Sequence, residues 1–228
     1  MRHALITGGS AGIGFSLVRK FIEAGYFVYN LDIKKSAFEH SNHMYVPCDV
    51  KDAAQVEKAL KQVKAIDVLI NNAAIQYVKP FKETTMSDWD DVIKTNLNGV
   101  FHVTRLSLEK MNKGYILNVG SVHGALPREM KMAYDVSKAG LIMFTKELAL
   151  ELAKDQIRVN CINIGATVTP MNDDFTPEDP NYQASIEKIP LRKVFSSQEI
   201  ADVIYKMITE FPHMTGSVLT YDAGRSLN

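Results

Sequence analysis

The sequence predicts an α/β fold in which helices cover both faces of a doubly wound parallel sheet of seven strands. Short apolar runs alternate with helical patterns along the whole chain. Most of these runs are apolar at successive positions, as strands covered on both faces must be. Because this rhythm places a helix between consecutive strands, the strands should run parallel and their crossovers should be right-handed.

The predicted strands are rich in β-branched or aromatic residues. In chain order they are His3–Ile6, Phe27–Leu31, Met44–Val46, Val68–Ile70, Tyr115–Val119, Arg158–Ile162 and Ser217–Tyr221. Helical windows lie between most of them, at Gly14–Ala24, Ala53–Val63, Ser87–Met111, Met132–Lys154 and Ser197–Phe211. Ser87 and Ser197 stand at helix starts shortly before acidic residues, and we expect both to be N-caps.

Two segments depart from this rhythm. Residues 33–43 are too few and too polar for a crossover helix, so we expect a loop or a single turn there. Residues 171–191 contain Pro177, Pro180 and Pro190 together with two acidic pairs, which predicts a polar, mobile loop that closes over a site as a substrate lid. We expect residues 1–228 to form a single domain.

Composition excludes several classes of protein. The chain has 228 residues, with 26 basic and 26 acidic side chains, and this balance argues against a nucleic-acid binder or a protein that adheres to anionic membranes. No apolar run is long enough to span a membrane, and we expect no targeting segment before the first strand. Cys48 and Cys161 lack disulfide or metal-ligand spacing, so we expect a reducing, cytoplasmic location and no metal site.

A glycine-rich turn, Thr7-Gly8-Gly9-Ser10-Ala11-Gly12-Ile13-Gly14, follows the first strand and opens the first helix. Glycines allow the backbone to turn tightly and approach a pyrophosphate, and the helix N-terminus supplies free N–H groups and a positive dipole end. The pattern departs from the common dinucleotide motif because Leu17 occupies the third glycine position. Such a turn alone can also be purely structural.

The second predicted strand leads into Asp32, which lies 18 positions after Gly14. An acidic side chain there is placed to accept hydrogen bonds from the adenosine ribose hydroxyls, and its charge would repel a 2′-phosphate. We therefore expect NAD rather than NADP as the cofactor, although Lys34 and Lys35 weaken this preference. The alternative is that Asp32 only caps the end of a strand.

Tyr134 and Lys138 are spaced i, i+4 at the start of the fourth helical window, so they share one face. An ammonium about 4 Å from a phenol, at an effective dielectric constant of about 20, would lower the tyrosine pKa from about 10 by at most about 3 units. We therefore expect Tyr134 to act as an acid–base group, although such a pair alone is more often a solvated surface pair. Ser121 lies 13 residues earlier, just beyond the fifth strand, where a substrate oxygen would bind.

With these motifs the chain resembles the short-chain dehydrogenase/reductase family, in its single-domain branch, along essentially its whole length. The motifs that carry the resemblance are Thr7–Gly14, Asp49-Val50, Asn71-Asn72-Ala73-Ala74, Asn96, Ser121, Tyr134 with Lys138, and Gly165 through Thr169. Three positions depart from the family pattern: Ala74 and Ile164 replace a glycine and a proline, and the tail reads Tyr221-Asp222-Ala223-Gly224.

The resemblance implies a role for each matching residue. Tyr134 would exchange the proton with the substrate. Lys138 would lower the pKa of Tyr134 and hold the nicotinamide ribose, and Ser121 would orient the substrate oxygen. Asn96 would anchor a water that relays protons to Lys138. The implied cofactor-binding positions are Gly8, Ser10, Gly12, Ile13, Gly14, Asp32, Asp49, Val50, Asn71, Ala73, Tyr134, Lys138, Gly165, Thr167 and Thr169.

The sequence thus predicts a NAD-dependent oxidoreductase that interconverts a secondary alcohol, such as a polyol, a sugar or a hydroxylated ring, and its ketone. Gln76 and His123 are the candidate substrate contacts. A 3-oxoacyl-(acyl-carrier-protein) reductase is the alternative, and a catalytically silent nucleotide-sensing protein is a remote one. The resemblance also implies a homo-oligomer, a tetramer or dimer built on the helical windows 87–111 and 132–154.

Overall fold

The computed structural model describes residues 1–172 and 180–227. Its centre is a parallel sheet of seven strands in the spatial order β3-β2-β1-β4-β5-β6-β9. The strands are β1 (Arg2–Thr7), β2 (Tyr26–Asp32), β3 (His43–Pro47), β4 (Val68–Asn71), β5 (Gly114–Ser121), β6 (Ile157–Ile164) and β9 (Val218–Tyr221). The predicted doubly wound parallel sheet is confirmed.

The strand order reverses between β1 and β4, which lie side by side at the centre of the sheet. Ile6 of β1 aligns with Ile70 of β4, and Asn71 aligns with Asn118 of β5. In doubly wound sheets, ligands bind at the carboxyl ends of the strands next to such a reversal. The fold therefore brings the ends of β1, β4 and β5 to one candidate site.

Helices cover the two faces of the sheet. They are α1 (Gly12–Glu23), α2 (Ala53–Leu60), α3 (Met86–Ile93), α4 (Gly99–Ser107), α5 (Met132–Leu152), α6 (Pro180–Glu187) and α7 (Ser197–Thr209). One core cluster lies under α1 and α7 and includes Phe21 and Ile204. The other lies under α2, α4 and α5 and includes Val56, Val103 and Leu152. Each face of the sheet thus has its own apolar core, as the doubly apolar strands require.

The N-caps of two helices differ from the prediction by one or two residues. Thr85 caps α3, and its hydroxyl accepts a hydrogen bond from the Asp88 N–H while the Asp88 carboxylate accepts one from the Thr85 N–H. Ser196 makes the same reciprocal pair with Glu199 at α7. The prediction of Ser87 and Ser197 as caps is wrong, because each acidic residue must stand three positions after its cap to complete this capping box.

The helical window predicted at 87–111 is continuous but not uniform. A π-helical turn, Lys94–Asn98, joins α3 to α4. The first residue of α4 is Gly99, where a Cβ atom would lie 2.7 Å from Cγ2 of Val50. The helix can therefore press against the segment after β3 only because this position is a glycine.

Of the two segments predicted as loops, 33–43 and 171–191, the structure confirms one and contradicts part of the other. Residues 33–42 contain no helix, which confirms the predicted loop. Within the predicted lid 171–191, the structure has a helix, α6, so the prediction of an irregular loop is wrong over that part; residues 173–179 lie outside the described residues. Two short strands, β7 (Thr167–Val168) and β8 (Phe195–Ser196), pair on their own and were not predicted.

None of the helices in the described part of the chain is long and apolar enough to cross a membrane.

Candidate active site

The glycine-rich turn between β1 and α1 forms an open cradle. Gly8 and Gly12 have φ angles of +68° and +53°, a left-handed conformation that favours glycine. A Cβ atom at Gly14 would collide with the carbonyl oxygen of Gly8. No side chain caps the start of α1 at Ala11, and its first turn holds no acidic residue. The N–H groups and dipole of α1 are thus available to an anion, and the turn fits a pyrophosphate.

Asp32, the last residue of β2, lies beside this cradle. Its Oδ2 accepts a 2.9 Å hydrogen bond from the Ser10 N–H, and its Oδ1 accepts one of 2.9 Å from the Lys34 N–H. Buried Asn30 on the same strand accepts a 2.9 Å bond from the Gly9 N–H, a contact that the sequence analysis did not identify. The Asp32 carboxylate is therefore held at the position predicted for a ribose-binding group.

Hydrogen bonds hold the end of β4 against the glycine turn. The Thr7 hydroxyl accepts 3.0 Å hydrogen bonds from the N–H groups of Asn72 and Ala73. The Asn72 side chain donates to the carbonyl oxygens of Thr7 and Gly8, both at 3.0 Å. Thr7 and Asn72, which were not predicted as site residues, thus fix the relative position of two predicted cofactor-binding segments.

The side chain of Asn71 is directed into the core. Its Nδ2 donates to the Thr104 hydroxyl at 3.0 Å and to Asn118 Oδ1 at 2.9 Å. Its Oδ1 is buried and has no hydrogen-bond partner. This amide ties β4 to α4 and β5, and its predicted contact with the cofactor remains a prediction.

Asp49 and Val50 follow β3 at the same edge of the sheet. Val50 is buried against Gly99, and its carbonyl oxygen accepts a 3.1 Å hydrogen bond from His102 Nδ1. The Asp49 carboxylate accepts a 3.0 Å bond from the Lys51 N–H. The two residues lie beyond Asp32 from the glycine turn, and their contact with the cofactor remains a prediction.

The Ser121 hydroxyl lies close enough to the Tyr134 phenol to act on its pKa. Ser121 ends β5 and is 5% exposed, and its Oγ accepts a 3.1 Å bond from the His123 N–H. Burial raises the pKa of Tyr134 to about 12, and the Ser121 hydroxyl opposes this rise. The structure thus joins the predicted proton donor to the predicted substrate-orienting hydroxyl.

Lys138 lies one helical turn after Tyr134 and is 4% exposed. Its Nζ donates a 2.7 Å hydrogen bond to the Val119 carbonyl oxygen and lies 5.6 Å from the centroid of the Tyr134 ring. Burial lowers the pKa of Lys138 to about 8. Desolvation dominates the pKa of the Tyr134 phenol while the ammonium is directed at the backbone, and the lowering of this pKa by Lys138 remains a prediction.

Asn96 occupies the π-helical turn and is 1% exposed. Its Oδ1 accepts from the Ile75 N–H at 2.8 Å, and its Nδ2 donates to the Ile75 carbonyl oxygen at 2.9 Å and to Ser137 Oγ at 3.0 Å. Ser137 Oγ in turn donates to the Tyr134 carbonyl oxygen at 2.7 Å. With both amide hydrogens in use, the side chain positions the loop after β4 and the start of α5, and only a lone pair of Oδ1 remains for the predicted water.

The loop after β6 reaches back to the glycine turn. The Gly165 N–H donates a 2.9 Å bond to the Tyr221 carbonyl oxygen, and the Thr167 hydroxyl donates a 3.1 Å bond to the Gly165 carbonyl oxygen. Thr169 lies 3.5 Å from the point where a Cβ of Gly12 would stand. The structure therefore brings Gly165, Thr167 and Thr169 to the same edge as the cradle, as predicted.

The two predicted substrate contacts lie on loops that follow β4 and β5. Gln76 Oε1 accepts a 2.8 Å hydrogen bond from Lys131 Nζ, and Gln76 Nε2 donates a 3.0 Å bond to the Met171 carbonyl oxygen. His123 Nδ1 donates a 3.0 Å bond to the Leu126 carbonyl oxygen. Because a carbonyl oxygen only accepts, the proton of the neutral ring is on Nδ1. Lys131 was not identified from the sequence, because nothing in its spacing distinguishes it from a surface lysine.

In the part of the chain that the structure describes, no three His, Cys, Asp or Glu side chains lie together as metal ligands would. Cys48 and Cys161 are both buried and free.

A doubly wound sheet whose carboxyl edge carries an anion cradle beside a serine–tyrosine hydroxyl pair and a buried lysine defines an α/β oxidoreductase. The model of the short chain dehydrogenase family matches residues 2–180. The chain therefore belongs to the short-chain dehydrogenase/reductase family, whose members are oxidoreductases that act on CH–OH groups.

Individual relatives agree with this assignment. The chain is 33% identical to an acetoacetyl-CoA reductase of Acinetobacter sp. (strain RA3849), with 97% of this chain and 96% of that protein covered. It is 36% identical to a 3-oxoacyl-(acyl-carrier-protein) reductase of Thermotoga maritima, with 96% of each covered. The structure of 4-hydroxyisoleucine dehydrogenase complexed with NADH superposes with a TM-score of 0.93 and 26% identity, and 100% of each chain is covered.

Proposed function

We propose that this protein is a NAD-dependent dehydrogenase that interconverts a polar secondary alcohol, such as a polyol, a sugar or a hydroxylated ring, and its ketone. The observation that carries the proposal is the closeness of the Ser121 hydroxyl, at the end of β5, to the Tyr134 phenol, whose pKa it influences. This pair stands at the same sheet edge as the glycine cradle, so a substrate oxygen and a bound dinucleotide would meet there.

The residues at the sheet edge fit a nicotinamide dinucleotide. The turn through Gly8, Gly12 and Gly14 has a tight shape that fits a pyrophosphate, and it requires glycine at position 14 because a Cβ there would collide with the carbonyl oxygen of Gly8. The Asp32 carboxylate holds two local N–H groups and keeps lone pairs for ribose hydroxyls. Its negative charge disfavours a 2′-phosphate, which supports NAD over NADP. The solved relative that is complexed with NADH adds support.

When bound, the nicotinamide supplies the group that accepts a hydride from the alcohol carbon or returns it to the carbonyl carbon. Ser121 would hydrogen-bond the substrate oxygen and fix its position. In reduction, Tyr134 gives the hydroxyl proton to this oxygen as the C–O double bond becomes single; in oxidation, the deprotonated phenol takes the proton of the alcohol. Because its pKa is raised to about 12, Tyr134 is protonated at pH 7 without ligands, so the phenol can donate directly in reduction and must first lose its proton to act as the base in oxidation.

The second candidate function is a 3-oxoacyl-(acyl-carrier-protein) reductase. The relative of that name in Thermotoga maritima, 36% identical, favours it, as does the Gly-Ser-Val-x-Gly sequence around Ser121. A catalytically silent nucleotide-sensing protein would have no need of Tyr134 and Lys138, and this chain retains both.

The test is a panel of secondary alcohols, polyols and aldoses incubated with NAD or NADP, together with an acetoacetyl thioester and the reduced cofactors. Formation or loss of the reduced nicotinamide is followed by absorbance. We expect alcohol oxidation with NAD. Turnover restricted to the thioester with NADPH would favour the reductase instead, and no turnover of any compound would contradict both.

We also propose that the protein is cytoplasmic and forms a homo-oligomer through α4 and α5. Val136, Met143 and Leu150 are spaced seven residues apart along α5 and are 46%, 57% and 78% exposed. Because that spacing keeps them on one side of the helix, they form an apolar stripe, and Phe101 on α4 is also exposed. A second copy of the chain would bury this surface. The free, buried cysteines Cys48 and Cys161 support a reducing compartment.

A further inference from the structure

We infer that Lys131 and Gln76 form an anion subsite next to Ser121 and Tyr134, so that the substrate is a hydroxy acid whose carboxylate lies against the Lys131 ammonium. The inference rests on the proposed function, since it names the class of alcohol that this site oxidises. It narrows the polar secondary alcohols to those that carry a negative charge, and the product is then the corresponding keto acid.

The first support is the burial of an ammonium without a counter-charge. Lys131 is 8% exposed, and its Nζ donates to the neutral amide oxygen of Gln76 at 2.8 Å. No ion pair joins Lys131 to any carboxylate in the described parts of the chain. A buried charge that lacks a partner of opposite sign is costly to keep. A lysine has three N–H donors, so the bond to Gln76 leaves two for a ligand.

The second support is the sign of the charges around the subsite. The charges of Lys131, Arg128 and Arg225 all act to lower the pKa of His123, so the three cations lie within electrostatic range of that ring. Burial and the charge of Arg128 likewise lower the pKa of Lys131 to about 8, whereas Asp135 opposes them weakly. Among the described residues, the charges of Lys131 and Arg128 therefore give the surroundings of His123 a positive field, which attracts an anionic substrate.

Asp135 does not neutralise Lys131. It lies one helical turn further along α5, and its Oδ2 accepts a 2.9 Å hydrogen bond from the Arg128 N–H. Its Oδ1 is buried without a hydrogen-bond partner. The carboxylate is thus held by the loop before α5 and makes no ion pair with the ammonium.

The third support is the way in which the backbone presents the lysine to the reacting groups. Lys131 is the N-cap residue of α5, three positions before Tyr134. The preceding residue, Met130, has a φ angle of +67°, and its carbonyl oxygen accepts a 2.8 Å bond from the Lys79 N–H. A left-handed conformation at a residue with a long side chain costs free energy and is characteristic of functional sites.

The backbone that carries Gln76 is also fixed by hydrogen bonds. Gln76 follows Ile75, whose N–H and carbonyl groups are both bonded to the buried Asn96 side chain. The amide therefore extends from a fixed backbone, and its oxygen orients the Lys131 ammonium. If the contact served only to join two loops, a neutral donor would do so without the desolvation cost of a buried charge.

The test compares hydroxy acids with matched neutral alcohols in the presence of NAD. The acids are 2-hydroxybutyrate, 3-hydroxybutyrate and 4-hydroxypentanoate, and the neutral compounds are their methyl esters and 2-butanol. We expect kcat/KM for the best acid to exceed that of its ester by about 100-fold, because the ester leaves the buried ammonium unpaired.

Three variants locate the effect. Lys131→Met should raise KM for the best acid by about 30- to 100-fold and change kcat/KM for its ester less than about threefold. Gln76→Glu, which places a carboxylate against the ammonium, should have the same selective effect on acids. Lys146→Met, at an exposed position of the same helix, is the matched control and should leave both substrates unaffected.

A binding measurement separates this inference from the proposed function. Butyrate has a carboxylate but no hydroxyl group to oxidise, and calorimetry should show that it binds the wild-type protein with NAD and binds Lys131→Met about 30-fold more weakly. Butyrate binding that depends on Lys131, without oxidation of any alcohol, would keep the subsite and overturn the dehydrogenase. Equal turnover of acids and esters that is insensitive to Lys131→Met would overturn the subsite and keep the dehydrogenase.

Discussion

The ammonium of Lys138 donates a 2.7 Å hydrogen bond to the carbonyl oxygen of Val119, which ties the start of α5 to the end of β5. The buried Lys138 side chain thereby fixes the position of the helix that carries Tyr134 relative to the strand that carries Ser121. A lysine in this position fixes the distance between the two hydroxyl groups, whether or not it also acts on the phenol. Its structural contribution is to preorganise the Ser121–Tyr134 pair.

Replacing Tyr134 with phenylalanine should remove proton exchange and leave the fold in place. We expect kcat/KM to fall by about 10²- to 10⁴-fold, which is the usual contribution of a general acid–base. The measurement is steady-state oxidation of the best alcohol with NAD, alongside calorimetry of NAD binding. Tyr45→Phe on β3 is the control and should behave as wild type. A Tyr134→Phe protein as active as the wild type would contradict the assigned role.

Removing the charge of Asp32 should relax the preference for NAD. In Asp32→Asn one oxygen remains to accept a backbone N–H, but the repulsion of a 2′-phosphate is lost. We expect the ratio of kcat/KM for NAD to that for NADP to fall by about 10- to 100-fold, within the limit of about 4 kcal/mol for two charges about 4 Å apart. Asp155→Asn, an exposed change after α5, is the control. A wild-type protein that prefers NADP would show the cofactor assignment to be wrong.

A methyl group at Gly14 should abolish dinucleotide binding. The Cβ would collide with the carbonyl oxygen of Gly8, and neither atom can move without distorting the cradle. We expect Gly14→Ala to lose detectable NAD binding by calorimetry and to unfold at a lower temperature than wild type. Gly140→Ala is the matched control, because its Cβ would meet only the flexible Leu97 side chain at 3.3 Å. Normal NAD affinity in Gly14→Ala would mean that the cradle does not hold the cofactor.

The buried lysines should make stability depend on pH. Burial lowers the pKa of Lys131 and Lys138 to about 8, whereas an unfolded lysine titrates near 10.4. Between these values the unfolded chain binds more protons than the folded one, so the free energy of unfolding should rise with pH from about 7 towards 9. Burial raises the pKa of Cys48 and Cys161 to about 11, whereas an unfolded thiol titrates near 8.5, so the cysteines should offset part of the rise from about pH 8 and reverse it above about pH 9.

Urea unfolding of the wild type and of Lys131→Met at pH 7, 8 and 9 measures this dependence. The variant lacks one of the two lysines and keeps both cysteines, so we expect less than half of the wild-type rise between pH 7 and 9. An identical slope in both proteins would show that Lys131 is not desolvated.

A charge on the exposed stripe of α5 should disrupt the oligomer. Met143 is 57% exposed, and a second copy of the chain would bury it. We expect Met143→Glu to shift the sedimenting species towards the monomer at micromolar concentration, because burying an unpaired carboxylate costs several kcal/mol. Met44→Glu, on the edge strand β3, is the control for adding a charge at an exposed methionine. A wild-type protein that is already monomeric would contradict the proposed interface.

Local patterns determined the sheet, the glycine turn and the Tyr134–Lys138 pair. Strand and helix periodicities depend on neighbouring residues, and an i, i+4 spacing places two side chains on one helix face in any context. Helix ends were less well predicted, because the capping boxes at Thr85 and Ser196 depend on a three-residue offset that was misplaced. The π-helical turn at Asn96 had no recognisable signal in the sequence.

The sequence by itself therefore determined the family, the fold and the residues that gather at the end of the sheet. Only the tertiary structure decided their electrostatics, because burial depends on segments that are distant along the chain. In the folded protein the Lys138 ammonium bonds the Val119 carbonyl oxygen, and burial raises the pKa of Tyr134. Lys131 is buried with the neutral amide of Gln76 as its hydrogen-bond partner. In the sequence Lys131 is one lysine among many, and it becomes a candidate anion site only where the loops after β4 and β5 exclude water from it.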